Sequence, residues 1–111
     1  MSQVNLLFEM LRHQAGVLVS VDAAQGAGPR EKGAWMVVFA DTVLGTIGGG
    51  HLEFQAIEQA RRRLACREDR GGDDVQRFAL GPSLGQCCGG VVHLRFEPVA
   101  APQIAALRQR L

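Results

Sequence analysis

The most constraining stretch of this chain is a ten-residue segment, Gly81-Pro82-Ser83-Leu84-Gly85-Gln86-Cys87-Cys88-Gly89-Gly90. It lies between two segments predicted as strands, Val75 to Leu80 and Val91 to Phe96. A plain hairpin needs only a few turn residues. Glycine lets backbone approach a ligand closely, and cysteine brings nucleophilic sulfur, so the composition predicts a ligand loop. The alternative is a glycine-rich turn whose two thiols pack as small hydrophobes.

Length and composition predict one globular domain. The chain has 111 residues, of which 47% are hydrophobic and 21% are charged. A formal net charge of +1 argues against nucleic-acid binding. We predict neither a secretory signal nor a membrane span. Because adjacent cysteines rarely pair, free thiols at Cys66, Cys87 and Cys88 favour the cytoplasm.

The apolar patterns predict an α/β fold: a single domain with a mixed β-sheet of about five strands and packed helices. Strands are predicted over Val17–Val21, Ala34–Phe39, Val43–Ile47, Val75–Leu80 and Val91–Phe96, and helices over Val4–His13, His51–Arg67 and from Ile104. Three glycines and a proline predict an irregular segment from Asp22 to Gly33. Pro98 and Pro102 are predicted to break the chain.

Three glycine-bearing loops follow predicted strands: Gln25 to Gly33, Gly45 to Gly50, and Gly81 to Gly90. Open α/β sheets bind ligands at strand ends, so we expect these loops to gather on one side of the sheet.

Gly48-Gly49-Gly50 immediately precedes the longest predicted helix. Successive N–H groups at such a turn can converge on an anion, such as a phosphate or a deprotonated ring oxygen. The segment lacks the Gly-Lys-Ser/Thr ending of a P-loop. The alternative is a tight strand-to-helix turn that needs positive φ. Glu53, in the first helical turn, suits the positive end of the helix dipole.

Arg30 could clamp a phosphate, or could simply be a solvated surface residue. Adjacent cysteines have poor spacing for zinc, which argues against a zinc site made with His51 or His93. A catalytic Cys–His pair remains open. Cys66 is predicted to be inert packing.

Three segments together resemble the XdhC/CoxI family, the xanthine dehydrogenase accessory factors. They are Gly26 with Pro29-Arg30-Glu31, Gly33-Ala34 and Met36; Gly45-Thr46-Ile47-Gly48-Gly49-Gly50-His51-Leu52-Glu53; and Leu80-Gly81-Pro82-Ser83-Leu84-Gly85-Gln86-Cys87-Cys88-Gly89-Gly90. The resemblance runs from about Leu6 to Glu97. It implies a non-enzymatic chaperone that binds the molybdenum cofactor (molybdopterin), protects its sulfurated form and assists its insertion into a molybdenum hydroxylase.

The resemblance also implies a site and partners. The expected cofactor-binding residues are Arg30, Gly48, Gly49, Gly50, Glu53, Gln86, Cys87 and Cys88. Cys87 or Cys88 is expected near the molybdenum or its sulfur ligand, with Cys87 preferred, and Gly48 to Gly50 with Arg30 near the pterin or its phosphate. The expected partners are a xanthine dehydrogenase-type apoenzyme, a cofactor-sulfurating enzyme and a second copy of the chain.

Residues 1–97 are interpreted as the XdhC/CoxI-like domain, and residues 98–111 as a proline-broken helix or the start of a linker. Members of the family commonly continue into a second, Rossmann-like domain. Two alternatives remain for the function. One is a sulfur-transfer or hydrolytic enzyme that uses Cys87 or Cys88, and the other is a structural dimerisation domain.

Overall fold

The computed structural model describes residues 3–26, 34–65, 74–79 and 90–110. The helices are α1 Gln3–Leu11, α2 Gly50–Ala65 and α3 Ile104–Arg110, the last preceded by a 3₁₀ turn at Ala101–Gln103. The strands are β1 Gly16–Gly26, β2 Trp35–Val38, β3 Val43–Thr46, β4 Asp74–Ala79 and β5 Gly90–Val99. The predicted α/β class, with five strands and packed helices, is confirmed.

The five strands form one open sheet in the order β3-β2-β1-β5-β4. Every pairing is antiparallel, so the sheet is not of the mixed kind that we expected. The reason lies in the connections. The β2–β3 turn is a tight hairpin, closed by the Phe39 N–H donating to the Thr42 carbonyl at 2.7 Å. Strand β5 then enters between β1 and β4, antiparallel to both.

Strand β1 is longer than its local sequence predicts. Asp22 to Gly26 were expected to be irregular, yet β1 pairs with β5 as far as the Gly26–Gly90 partners. A bulge between Val21 and Ala23 accommodates Asp22 as the extra residue. Pairing with a distant strand therefore overrides the weak strand propensity of this segment.

Pro98 was predicted to break the chain, but it lies within β5 opposite Val17. The pairing of β4 with β5 reaches only to Phe96. Beyond that residue β5 is an edge strand on that side, and proline is tolerated on edges because no ladder donor is needed there. Strand β5 thus runs past residue 97 to Val99.

Each face of the sheet is covered by helices, which gives three layers. One face packs on α2 and forms a core of Val17, Val19, Val21, Met36, Val38, Ile47, Leu52, Ala56, Ala60, Val92, Leu94 and Phe96. The other face packs on α1 and α3 through Leu7, Phe8, Leu11, Leu18, Val37, Phe39, Leu44, Val99 and Leu107. Strand β1 alternates between the two cores, as expected for a strand buried on both sides.

We define the loop end of the sheet as the end where β1, β3 and β4 finish and β2 and β5 begin. The strand registers establish it: Gly26 is paired with Gly90, Ala79 with Val91, and Trp35 with both Ser20 and Thr46. Helix α2 also begins close by, four residues after Thr46. The described ends of all three glycine-bearing loops therefore lie at this one end.

Replacement of Gly45 by alanine should destabilise the fold strongly. Gly45 has φ +83°, and a Cβ there would lie 2.6 Å from the Trp35 carbonyl oxygen. Two effects destabilise the variant. A residue with a Cβ is strained in the left-handed backbone by about 1–2 kcal/mol, and its Cβ clashes with backbone that cannot move aside easily. We expect a loss in unfolding free energy of about 3 kcal/mol or more, measured by chemical denaturation.

Gly49→Ala is the matched control for this prediction. Gly49 has φ +78°, but a Cβ there would meet no atom within 4 Å. The free energy of unfolding of Gly49→Ala should therefore fall only by the cost of the left-handed backbone, about 1–2 kcal/mol. Equal losses in the two variants would contradict the steric argument.

Arg63 joins the end of α2 to strand β4, and Arg63→Ala should show a pH-dependent loss of stability. Its Nη2 lies 2.6 Å from Asp74 Oδ2, and its Cζ lies 4.6 Å from the Phe96 ring centroid. The hydrogen bond from Arg63 is the main reason why the pKa of Asp74 lies below 3.8. A lowered carboxyl pKa stabilises the fold above the unfolded pKa, and that stabilisation disappears as pH falls through the folded pKa.

We therefore expect Arg63→Ala to cost about 1 kcal/mol near neutral pH, and less once the pH has fallen through the lowered pKa of Asp74 and its carboxylate is protonated. NMR titration of the Asp74 carboxyl should show its pKa rising toward 3.8 in the variant. Arg62→Ala, at an exposed position of the same helix, is the control and should leave that titration unchanged. An unchanged Asp74 titration in Arg63→Ala would refute the assignment.

Candidate functional site

The turn between β3 and α2 is made of three consecutive glycines in the left-handed region. Their φ angles are +120° at Gly48, +78° at Gly49 and +76° at Gly50. Residues with a Cβ adopt this region rarely, and a run of three such residues would be costly. The glycines therefore let the chain reverse within three residues and place the start of α2 beside the loop end of the sheet.

A single carboxylate oxygen organises this turn. Glu53 Oε1 accepts hydrogen bonds from the Thr46 hydroxyl, from the Ile47 N–H at 3.0 Å and from the Gly49 N–H at 3.2 Å. The Thr46 oxygen in turn accepts the Gly48 N–H at 3.1 Å. Glu53 lies in the first turn of α2, where the helix dipole also favours a negative charge. We call this arrangement the Glu53 turn.

The Glu53 turn bears on the idea that the glycines hold an external anion. The N–H groups of Ile47 and Gly49 already bond to a carboxylate of the chain itself. The turn still offers backbone that a ligand can approach, because Gly48 and Gly50 are exposed and an added Cβ at Gly49 would enter open space. The geometry thus argues against capture of an external phosphate at these two N–H groups.

Two aromatic side chains follow the turn on the outer surface of α2. His51 and Phe54 stack with ring centroids 6.5 Å apart and an interplanar angle of 25°. Phe54 is 59% exposed, the largest exposure among the large hydrophobic residues of the described chain. The buried stripe of Leu52, Ala56 and Ala60 faces the sheet, so Phe54 projects away from the core.

The structure brings together some of the predicted site residues and does not describe the others. Gly48, Gly49, Gly50 and Glu53 form one turn, as given above. Arg30, Gln86, Cys87 and Cys88 lie outside the described residues, as does Cys66, which was expected to be inert packing. Only the strand ends that flank their loops are described, and Gly26 and Gly90 are direct partners in the β1–β5 register.

The strands do not extend equally far at the loop end of the sheet. Strand β2 pairs with β1 only up to Ser20, whereas β1 and β5 continue together to Gly26 and Gly90. Six further residues of extended strand span roughly 20 Å. The described ends of β1, β4 and β5 therefore lie further along the sheet than the Glu53 turn.

Among the described residues, no group of three His, Cys, Asp or Glu side chains is placed to hold a metal ion. None of the helices in the described ranges is long and apolar enough to cross a membrane.

Sequence reasoning missed Thr46, which both donates to Glu53 and accepts from Gly48. A threonine seven residues before a helix-entry glutamate, with glycines between, is the signal that could have identified it. Sequence reasoning considered His93 only as a zinc ligand. In the structure His93 instead lies on β5 opposite Arg77, and its Nδ1 is buried without a hydrogen-bond partner.

The fold is that of a small α/β domain with a glycine turn between β3 and α2. The model of the XdhC and CoxI family matches residues 10–79, which is more than half of the chain. The chain therefore belongs to the XdhC and CoxI family. None of the curated proteins matches it.

A solved structure shows the same fold. It is a 2.80 Å crystal structure described as a xanthine dehydrogenase from Bacillus halodurans. The TM-score is 0.72 at 24% sequence identity, and the match covers 98% of this chain and 34% of the other. The present chain thus spans about a third of that protein's length.

Replacement of Glu53 by alanine should loosen the turn. The variant removes the acceptor of two backbone N–H groups and one hydroxyl, which we expect to cost about 1–3 kcal/mol of unfolding free energy. Thr46→Val should cost about 1 kcal/mol, because it removes one donor and one acceptor. Chemical denaturation measures both.

Glu58→Ala is the control, since Glu58 is exposed on the same helix and loses the same charge. It should change stability by less than about 0.5 kcal/mol. In the Thr46→Val/Glu53→Ala double variant the losses should be less than additive, because the two side chains share one network. Equal losses in Glu53→Ala and Glu58→Ala would show that the carboxylate does not hold the turn.

Proposed function

We propose that this chain is a molybdenum-cofactor-binding chaperone that protects the sulfurated cofactor and assists its insertion into a xanthine dehydrogenase-type molybdenum hydroxylase. The observation that carries the proposal is membership of the XdhC and CoxI family, which supports a role in xanthine dehydrogenase-related maturation. The shared loop end supports it further. The strand ends that flank Arg30, Gly48–Gly50 and Cys87-Cys88 all lie there.

The residues of the chain fit such a ligand by their chemistry. Thiolates are soft donors suited to the neighbourhood of a metal–sulfur centre, which is the role proposed for Cys87 and Cys88. Arg30 would meet the cofactor's phosphate through a charge-assisted fork. The exposed backbone at Gly48 and Gly50 would approach the flat pterin closely, with Glu53 keeping the turn in shape. Gln86 would donate from the loop beside the thiols.

The cofactor supplies the redox and oxygen-transfer chemistry of the client enzyme once it is inserted there. The present chain would bind the cofactor, shield its sulfur from water and oxidants, and release it. In this role the protein is a carrier and not an enzyme. Its partners would be the client apoenzyme in the cytoplasm, the enzyme that sulfurates the cofactor, and a second copy of the chain.

The test is anaerobic binding of sulfurated cofactor to the full chain, followed by absorbance and by a count of equivalents. We expect saturation near one cofactor per chain without turnover. Cys87→Ala should weaken binding at least tenfold and leave the thermal melting temperature unchanged, because we expect this thiol to be exposed and to contribute little packing. Cys88→Ala should lower the melting temperature, because we expect that thiol to face the core.

Two outcomes would overturn the proposed carrier role of the cysteines, and a third would exchange the roles of the two thiols. Catalytic consumption of a thiol or ester substrate that depends on Cys87 or Cys88 would instead establish a sulfur-transfer or hydrolytic enzyme. Unchanged binding in both alanine variants would show that the two cysteines serve only as packing residues. Loss of binding in Cys88→Ala alone would reverse the assignment of the two thiols.

A further inference from the structure

The side of α2 that faces away from the sheet presents a row of residues that take no part in the core. The buried residues of this helix face the sheet, so Phe54, Glu58, Arg62 and Ala65 project on the opposite side, at spacings of three or four residues. All of them are exposed, and Phe54 is exposed by 59%. We call this row the outer stripe of α2.

The two charged residues of the outer stripe make no ion pair with any described residue. Glu58 and Arg62 are four residues apart, a spacing at which opposite charges often pair along one helix, yet they do not pair here. The neighbouring Arg61 is held differently, because its Nε donates to the Phe39 carbonyl oxygen at 3.3 Å and so points toward the sheet. Glu58 and Arg62 are therefore the charges that the outer stripe offers to a partner.

Phe54 gives the outer stripe an apolar anchor. Aromatic residues are enriched at protein interfaces and supply much of the binding free energy there. The His51 ring stacks beside Phe54 with centroids 6.5 Å apart, so the phenyl ring is already restrained and loses little freedom on binding. Because Glu58 lies one helical turn from Phe54, the ring and the charges form one continuous surface.

The order of these residues along α2 makes the outer stripe complementary to itself. A two-fold axis places two copies of one surface against each other, with the helices antiparallel when the axis is perpendicular to them. With the axis midway between Glu58 and Arg62, each Glu58 lies opposite Arg62 of the second copy. Each Phe54 then lies close to Ala65 of the second copy, whose small side chain leaves room for the ring. Parallel packing would instead set Glu58 against Glu58, and like charges repel.

We propose that the outer stripe of α2 is the surface through which two copies of this chain associate. The inference rests on the proposed function in that a second copy is among its partners, and it names the surface that this copy binds. Helix α2 has 16 residues and is about 24 Å long. One such helix pair buries less area than a standard interface, so we expect a reversible dimer with a Kd of about 10–100 µM. The end of α2 in the second copy would lie beside the Glu53 turn, so the interface would border the proposed ligand site.

The experiment is sedimentation equilibrium of the full chain over a range of concentrations. Phe54→Ala should weaken dimerisation about tenfold or more, because it removes the anchor. Glu58→Arg should weaken it about tenfold, since it sets arginines against arginines. The double variant Glu58→Arg/Arg62→Glu should return to within about threefold of the original Kd, because it reverses each pair without removing it. Glu9→Arg makes the same charge reversal on exposed α1, across the sheet, and should leave the Kd unchanged.

A mixture of ¹³C-labelled and unlabelled chains should also give intermolecular NOEs between the Phe54 ring and the Ala65 methyl group. A chain that stays monomeric at about 500 µM, well above the Kd of a weak specific interface, overturns the proposal. So does a dimer that Phe54→Ala and Glu58→Arg leave intact, or a double variant that does not recover. If the chain stays monomeric while Phe54→Ala weakens binding of the client apoenzyme, the stripe serves a different partner and the proposal is overturned.

Anaerobic cofactor binding by the same samples separates this inference from the proposed function. Dimerisation through the stripe by a chain that binds no cofactor overturns the proposed function and supports the interface. Cofactor binding by a chain that never dimerises overturns the interface alone.

Discussion

The pairing of β1 with β5 is the interaction on which the rest of this structure depends. The two strands run side by side from Gly16–Val99 to Gly26–Gly90, and both the β2–β3 hairpin and β4 are added to them. Both cores draw on this pair: Val19 and Leu94 serve one, and Leu18 and Val99 the other. The partners are more than sixty residues apart in sequence. Bringing them together therefore costs chain entropy before either core can be completed.

The same pairing determines where chemistry can be located. Because β1 and β5 are antiparallel, the end of β1 and the start of β5 lie together at Gly26 and Gly90, and β4 finishes beside them at Ala79. Loops far apart in sequence therefore leave the sheet from neighbouring points. The β1–β5 ribbon extends beyond β2, which separates this group of strand ends from the Glu53 turn by several residues of strand. A ligand that contacted both would have to be elongated or be covered by loops that fold back.

Much of the fold was predictable from local pattern. The apolar stripe of α2 and the alternation of β5 predicted those elements, since period and face are properties of neighbouring residues. The length of β1 was not predictable, because Ala23 to Gly26 are strand only by virtue of their partners in β5. Pro98 shows the same limit: its tolerance depends on where β4 ends, which no local window contains.

At the candidate site, the conformation of the glycines could be predicted from residue type, but the partner of their N–H groups could not. The triple glycine correctly indicated positive φ, but the converging N–H groups meet Glu53 of the same chain. A carboxylate seated on these donors makes the local field negative, and an incoming anion would have to displace it or lie elsewhere. Under the proposed function, the phosphate of the ligand would therefore be better matched by a guanidinium such as Arg30 than by the N–H groups of this turn. The sequence pattern predicted one anion-binding turn, whereas under the proposed function the exposed backbone of the turn and the charge of Arg30 would serve the ligand separately.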